Sequence, residues 1–128
     1  MDASKLRQRV LTLDEERRKL LHLILRALGM VSGSLYQMKR RCGHPGCKCA
    51  KGELHSSWYL SRLIEGKTKL DYIGRVVPEW LDEAVRRYQT YQSILARVRK
   101  LDLEISECLN LLRDMKVKRF EEAKKEHR

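Results

Sequence analysis

The residues best suited to chemistry lie together in the run Cys42-Gly43-His44-Pro45-Gly46-Cys47-Lys48-Cys49-Ala50-Lys51-Gly52-Glu53-Leu54-His55. Three Cys fall within eight residues, and two His accompany them. Thiolates and imidazoles are donors that tetrahedral Zn²⁺ prefers, and a closed set of four makes a structural rather than a catalytic site. Pro45-Gly46 is a turn pair that can bring Cys42 back toward Cys47, and Gly52 supplies a second reversal toward His55. The spacing predicts a Zn²⁺ ligand set of Cys42, Cys47, Cys49 and His55, with His44 as the alternative fourth ligand. A redox-active thiol pair and ordinary reduced cysteines are the competing readings. Arg40, Arg41, Lys48 and Lys51 beside the cluster would favour thiolates in either chemistry. Cys108 stands apart in a helical pattern and reads as a small buried apolar residue.

The cluster sits in the most basic part of the chain. In 128 residues, 28 Lys and Arg face 17 Asp and Glu, a net charge of +11. Residues 31–77 hold nine of the basic side chains and three acidic ones, a net +6, so more than half of the excess lies in little over a third of the sequence. The nine are Lys39, Arg40, Arg41, Lys48, Lys51, Arg62, Lys67, Lys69 and Arg75. Clustered positive charge predicts a polyanionic partner, since Lys and Arg gain affinity for phosphates by releasing condensed counterions. A merely solvated surface is the alternative. Trp58, Tyr59 and Tyr72 lie among these cations and could pack the sheet on helices or stack on exposed bases.

Elements of two kinds must position this region. Leu6, Val10, Leu13, Leu20, Ile24 and Ala27 step by three and four, which places them on one helical stripe. Arg17 occupies the missing beat. Thr12 with Glu15 could restart the helix as a capping box, but the unbroken rhythm favours one helix, with Gly29 as its stop. Ser34–Arg41, Ser56–Ile64 and Lys67–Ile73 read as strands, the last two joined by Glu65-Gly66 as a hairpin. Three such strands alone bury too little apolar surface to be stable, which gives the metal a structural task. Pro78 suits the first position of a long helix, whose stripe runs through Leu81, Ala84, Tyr88, Tyr91, Leu95 and Val98. The stripe continues through Leu101, Ile105, Cys108, Leu112 and Met115, and no Gly or Pro interrupts the run to Glu126. The shorter first helix would cover only half of it. Residues 101–115 are therefore predicted to form a coiled-coil or bundle interface in a homodimer or higher oligomer.

The expected fold is α+β: a helical hairpin or coiled coil carrying a small zinc-stabilised three-stranded antiparallel sheet. Its parts are an N-terminal helix over 1–30, a zinc-binding β module over 31–77 and a long oligomerising helix over 78–128. Gly33-Ser34-Leu35, the CGHPGCKCAKGELH block, WYLS, GKTKLDYIGR and the Pro-led helix resemble a family of small uncharacterised Cys-rich prokaryotic proteins often encoded beside transposases. The resemblance covers roughly residues 31–95 and implies Cys42, Cys47, Cys49 and His55 as shared metal-type positions, with no established activity. It places Gly66-Lys67-Thr68 at a shared hairpin tip. Where that family commonly has Gly-Pro after the His, this chain has Ser56-Ser57-Trp58. Three strands followed by a helix also look like the arm-type DNA-binding modules of integrases.

Several classes are disfavoured. No apolar run approaches the ~20 residues of a membrane span, and Met1-Asp2-Ala3-Ser4-Lys5 does not begin a secretory signal. The chain shows no HExxH, no Walker-type phosphate loop and no Ser-centred elbow, and four protein ligands would leave zinc no open position. The expectation is a non-catalytic, cytoplasmic, nucleoid-associated DNA-binding accessory protein of a mobile element, with double-stranded DNA as ligand. The alternative is a coiled-coil adaptor that binds a transposase or another protein.

Overall fold

The computed structural model describes residues 2–40, 46, 52 and 54–128. Among them run α1 (Ala3–Leu25), β1 (Ser34–Arg40), β2 (His55–Ile64), β3 (Lys67–Gly74), α2 (Glu79–Lys116) and α3 (Phe120–Glu126). The class is α+β, with three helices and one three-stranded antiparallel sheet in the order β1-β2-β3. No helix among the described residues is long and apolar enough to cross a membrane.

Asp2 caps α1 by accepting the Lys5 backbone N–H at 2.8 Å, which satisfies one of the orphan donors of the first turn. The helix then runs unbroken. Thr12 does not restart it; its hydroxyl donates back to the Gln8 carbonyl at 3.0 Å, a bond made inside a continuous helix. The end comes earlier than Gly29, at Leu25, where the Arg26 N–H closes a tighter final turn on the Leu23 carbonyl. At the start of α2, Pro78 is the residue before the helix rather than its first member. Its carbonyl accepts the N–H groups of Leu81 and Asp82, both at 3.1 Å.

The predicted uninterrupted helix to Glu126 is also corrected. α2 stops at Lys116, residues 117–119 are non-helical, and a short α3 follows. No breaker residue marks this point. Val117 and Phe120, on either side of the break, are both strongly exposed.

Two compact units emerge, one from Met1–Arg26 with Ser93–Arg128 and one from Ala27–Gln92. In the first, α1 and the later part of α2 run antiparallel, as their ion pairs show: Arg9 meets Glu104 at 3.0 Å and Glu16 meets Arg97 at 2.8 Å. Leu13 lies between Arg9 and Glu16 as Leu101 lies between Arg97 and Glu104, so these two side chains share one level of the seam. They are 2% and 0% exposed. Arg17, the polar interruption in the stripe, pairs with Asp102 at 2.6 Å.

In the second unit, Leu60 of β2 packs with Leu81 and Val85 of α2, and Val31, Leu35, Ile73 and Val77 close around them. The Val31 N–H donates to the Ala84 carbonyl at 3.1 Å, tying the lead into β1 to the helix. Glu65 and Gly66 have φ of 50° and 79°. Positive φ at both central residues is the type I′ geometry that matches strand twist in a two-residue hairpin.

Candidate nucleic-acid interface and metal loop

Strand pairing fixes the frame of the Cys-rich segment. β1 ends and β2 begins at the facing pair Arg40 and His55, whose Cα atoms in an antiparallel ladder are about 5 Å apart. The chain therefore leaves the sheet after Arg40 and re-enters it at His55 at adjacent points. Cys42 is two residues beyond Arg40, within about 7 Å of chain, so His55 lies within reach of it. Gly46 and Gly52 are both at turns, and Gly52 has φ of 124°, in keeping with the two reversals expected there. Cys42, His44, Cys47 and Cys49 lie outside the described residues. Among the described residues no grouping of three or more His, Cys, Asp or Glu could hold a metal.

The predicted basic residues divide into three groups. Lys39, Lys67, Lys69 and Arg75 are exposed, and none of them makes an ion pair with a described residue. Arg62 is different: its Nε meets Asp71 Oδ2 at 2.6 Å across β2 and β3, and both side chains are about one-third exposed. Its charge is compensated inside the sheet, so it is not the free cation that the sequence suggested. Arg40 is placed only by its backbone at the end of β1, while Arg41, Lys48 and Lys51 lie outside the described residues. Lys67 and Lys69 pair with Ile64 and Arg62 at the free end of the hairpin, two apart on one face of β3.

A groove of ≈ 770 Å³ runs beside Trp58 and the start of α2, lined by Arg75 and Arg86 but also by Glu79 and Asp82. Arg86 pairs with Asp82 at 3.0 Å, so the groove's charges offset one another. It offers no concentrated anion site.

The tyrosines form a feature that sequence reasoning treated only singly. Tyr36, Tyr59 and Tyr72 are register partners across all three strands. The rings of Tyr36 and Tyr59 have centroids 6.3 Å apart with their planes inclined by 30°, and those of Tyr59 and Tyr72 are 5.6 Å apart and edge-on. Because strand side chains alternate, these rings occupy the face opposite Leu35 and Leu60, which pack toward α2. The hairpin turn alone sets Tyr59 opposite Tyr72, and that signal was available in the sequence. Tyr36 could not be aligned with them, since a fourteen-residue segment (41–54) intervenes between its strand and the next.

On the helices, Glu16 and Arg97 form a two-point pair, with Nε to Oε1 at 2.9 Å and Nη2 to Oε2 at 2.8 Å. Those hydrogen bonds hold the Glu16 carboxyl below the usual carboxylate range and raise Arg97. Of the predicted interface residues, Leu101 is buried within the chain and belongs to the α1–α2 seam. α1 reaches further along α2 than its length first suggested, because α2 itself pairs from its middle rather than its start. Ile105, Cys108 and Leu112 are half-buried, and Met115 is 49% exposed beside exposed Leu109 and Leu111.

Comparison with curated proteins and with solved structures gives no match. Residues 5–83 match the domain of unknown function DUF6788, a span that begins in α1, takes in the Cys-rich loop and the whole sheet, and ends in the first turns of α2. That span is more than half of the 128 residues, so the chain belongs to the DUF6788 family.

Proposed function

We propose that this chain is a non-catalytic nucleic-acid-binding protein whose basic β module is stabilised by Zn²⁺ and takes DNA as its ligand. The observation that carries the reading is the contrast among the sheet's cations. Arg62 is neutralised by Asp71, whereas Lys39, Lys67, Lys69 and Arg75 stay exposed without an ion pair among the described residues. Cations left uncompensated on a pinned module are what a phosphate backbone requires. Cys42, Cys47, Cys49 and His55 would hold the metal, which supplies folding energy to a sheet too small to secure itself. The mobile-element setting, as an accessory to transposition acting at the nucleoid in the cytoplasm, follows from the resemblance of the Cys block. Homodimerisation through Ile105, Cys108, Leu112 and Met115 would present two modules to one duplex.

The test is fluorescence anisotropy with a labelled duplex over a salt series. The purified chain should bind, and the double variant Lys67→Glu, Lys69→Glu should bind far more weakly with a salt slope smaller by roughly 2, one unit per lost phosphate contact. Equal affinity of both proteins would overturn the reading. That result would favour the second one, an adaptor that docks a transposase or other protein on the exposed Leu109, Met115 and Phe120 side chains.

A further inference from the structure

We infer that the groove between the hairpin end of the sheet and α2 seats one backbone phosphate of the bound DNA, with Arg62, Tyr88, Gln89 and Gln92 as its donors. The inference rests on the nucleic-acid reading above and assigns the anchor point that this reading leaves open. The groove measures ≈ 600 Å³ and lies wholly within the Ala27–Gln92 unit. Ser32 and Ser34 at the entry to β1, Arg62 of β2, and Tyr88, Gln89 and Gln92 of α2 line it. No Asp or Glu does so among the described residues, in contrast with the groove beside Trp58, where Glu79 and Asp82 offset the cations.

Arg62 is oriented without being used up. Asp71 engages it through Nε alone, at 2.6 Å, whereas Glu16 takes two nitrogens of Arg97. Both Nη groups of Arg62 are left to donate, with no acceptor among the described residues. The backbone beside it fixes its stem: Gly33 has φ of 136°, and a Cβ there would meet Arg62 Cγ at 3.3 Å and the Ser61 carbonyl at 2.7 Å. A planar guanidinium held this way presents the edge between its two Nη groups, which suits two oxygens of one phosphate.

α2 adds neutral donors. Gln92 Nε2 donates to Tyr88 Oη at 3.1 Å, which leaves the tyrosine proton for another acceptor. Gln89 is exposed on the same helix. The surrounding field is positive. Leu60 pairs with Asp71, Arg62 with Lys69 and Ile64 with Lys67, so all six share the sheet face that Leu60 turns toward α2. At the hairpin end that face carries three cations against one carboxylate, and the carboxylate is engaged. A phosphate in the groove would gain charge-assisted bonds from oriented groups and attraction from both lysines.

The experiment measures anisotropy of a labelled duplex with the full chain over a salt series. Gln89→Ala with Gln92→Ala should weaken binding roughly 10-fold or more, the effect of losing hydrogen bonds to a charged group. The salt slope should match the parent's, because neutral amides release no counterions, whereas the Lys67 and Lys69 variants lower it. Gln92→Glu should weaken binding more than Thr90→Glu, which puts the same charge on an exposed α2 position outside the groove. Gln89, Thr90 and Gln92 are all exposed, so every variant should keep the far-UV spectrum and melting temperature of the parent. Parent-like affinity of the alanine variant, or equal losses for Gln92→Glu and Thr90→Glu, refutes the groove while the nucleic-acid reading stands on the Lys67 and Lys69 variants. If the parent does not bind the duplex, both readings fail together.

Discussion

Replacement of Leu101 by Ala tests whether the apolar stripe of α2 is satisfied within one chain or between copies. Leu101 is 0% exposed in the single chain, level with Leu13 on α1, so its side chain is surrounded without any partner molecule. Truncating a fully buried Leu costs about 2–5 kcal/mol, the transfer of its carbons plus the cavity left behind. A value near 3 kcal/mol corresponds to a fall in melting temperature of roughly 10 °C for a domain of this size. Total stability on the order of 6–19 kcal/mol, from the usual per-residue range, leaves the variant folded. Leu103→Ala is the control, since Leu103 is 61% exposed, and its change should stay within about 0.5 kcal/mol. Urea unfolding followed by circular dichroism, run at two well-separated protein concentrations, reads the result. An intrachain seam gives the same loss at both concentrations, whereas an interface gives one that shrinks on dilution, as the parent's own assembly dissociates. A loss under about 1 kcal/mol, or one that depends on concentration, would refute the seam.

Gly33→Ala should destabilise the sheet unit by about 2 kcal/mol or more, because φ is 136° there and a Cβ would meet the Ser61 carbonyl at 2.7 Å. Gly29→Ala, where a Cβ meets nothing within 4 Å, should leave the melting temperature unchanged. Glu16→Gln removes a carboxylate whose folded-state pKa is depressed by Arg97, so the parent's advantage should be full above the ordinary carboxylate range. That advantage should vanish as pH falls through the lowered value, and a pH-independent difference in urea melts would contradict the assignment. Leu112→Glu with Met115→Glu should turn a dimer into a monomer by light scattering without loss of helix. A retained dimer would place the contact elsewhere.

What the sequence revealed follows the range of the interactions involved. The hairpin was legible because two residues, Glu65 and Gly66, decide both turn type and register, and the observed strands differ from the expected ones by single residues at their ends. The α1 stripe was legible because period alone defines it, and Leu6, Leu13 and Ile24 are its buried members. Partners distant in sequence were not legible. Arg17 looked like a flaw in the stripe until Asp102 was placed beside it, and Arg62 counted as a free cation until the pleat set Asp71 within 2.6 Å. The tyrosine row was half visible, since only one of its two pairings is set by a short turn. The break after Lys116 carries no local signal, since neither Gly nor Pro stands at residues 117–119.

The seam between α1 and α2 also restricts how the gene can vary in length. Arg9 and Glu16 are seven residues apart, as are Arg97 and Glu104, and the two pairs meet end to end. One codon inserted between Arg97 and Glu104 would turn everything beyond it by about 100° and swing Glu104 away from Arg9. Insertions in this stretch are tolerable only in sevens, and only if the added turns bring their own Leu and their own charges. Homologous chains should therefore hardly vary in length within the zipped stretch.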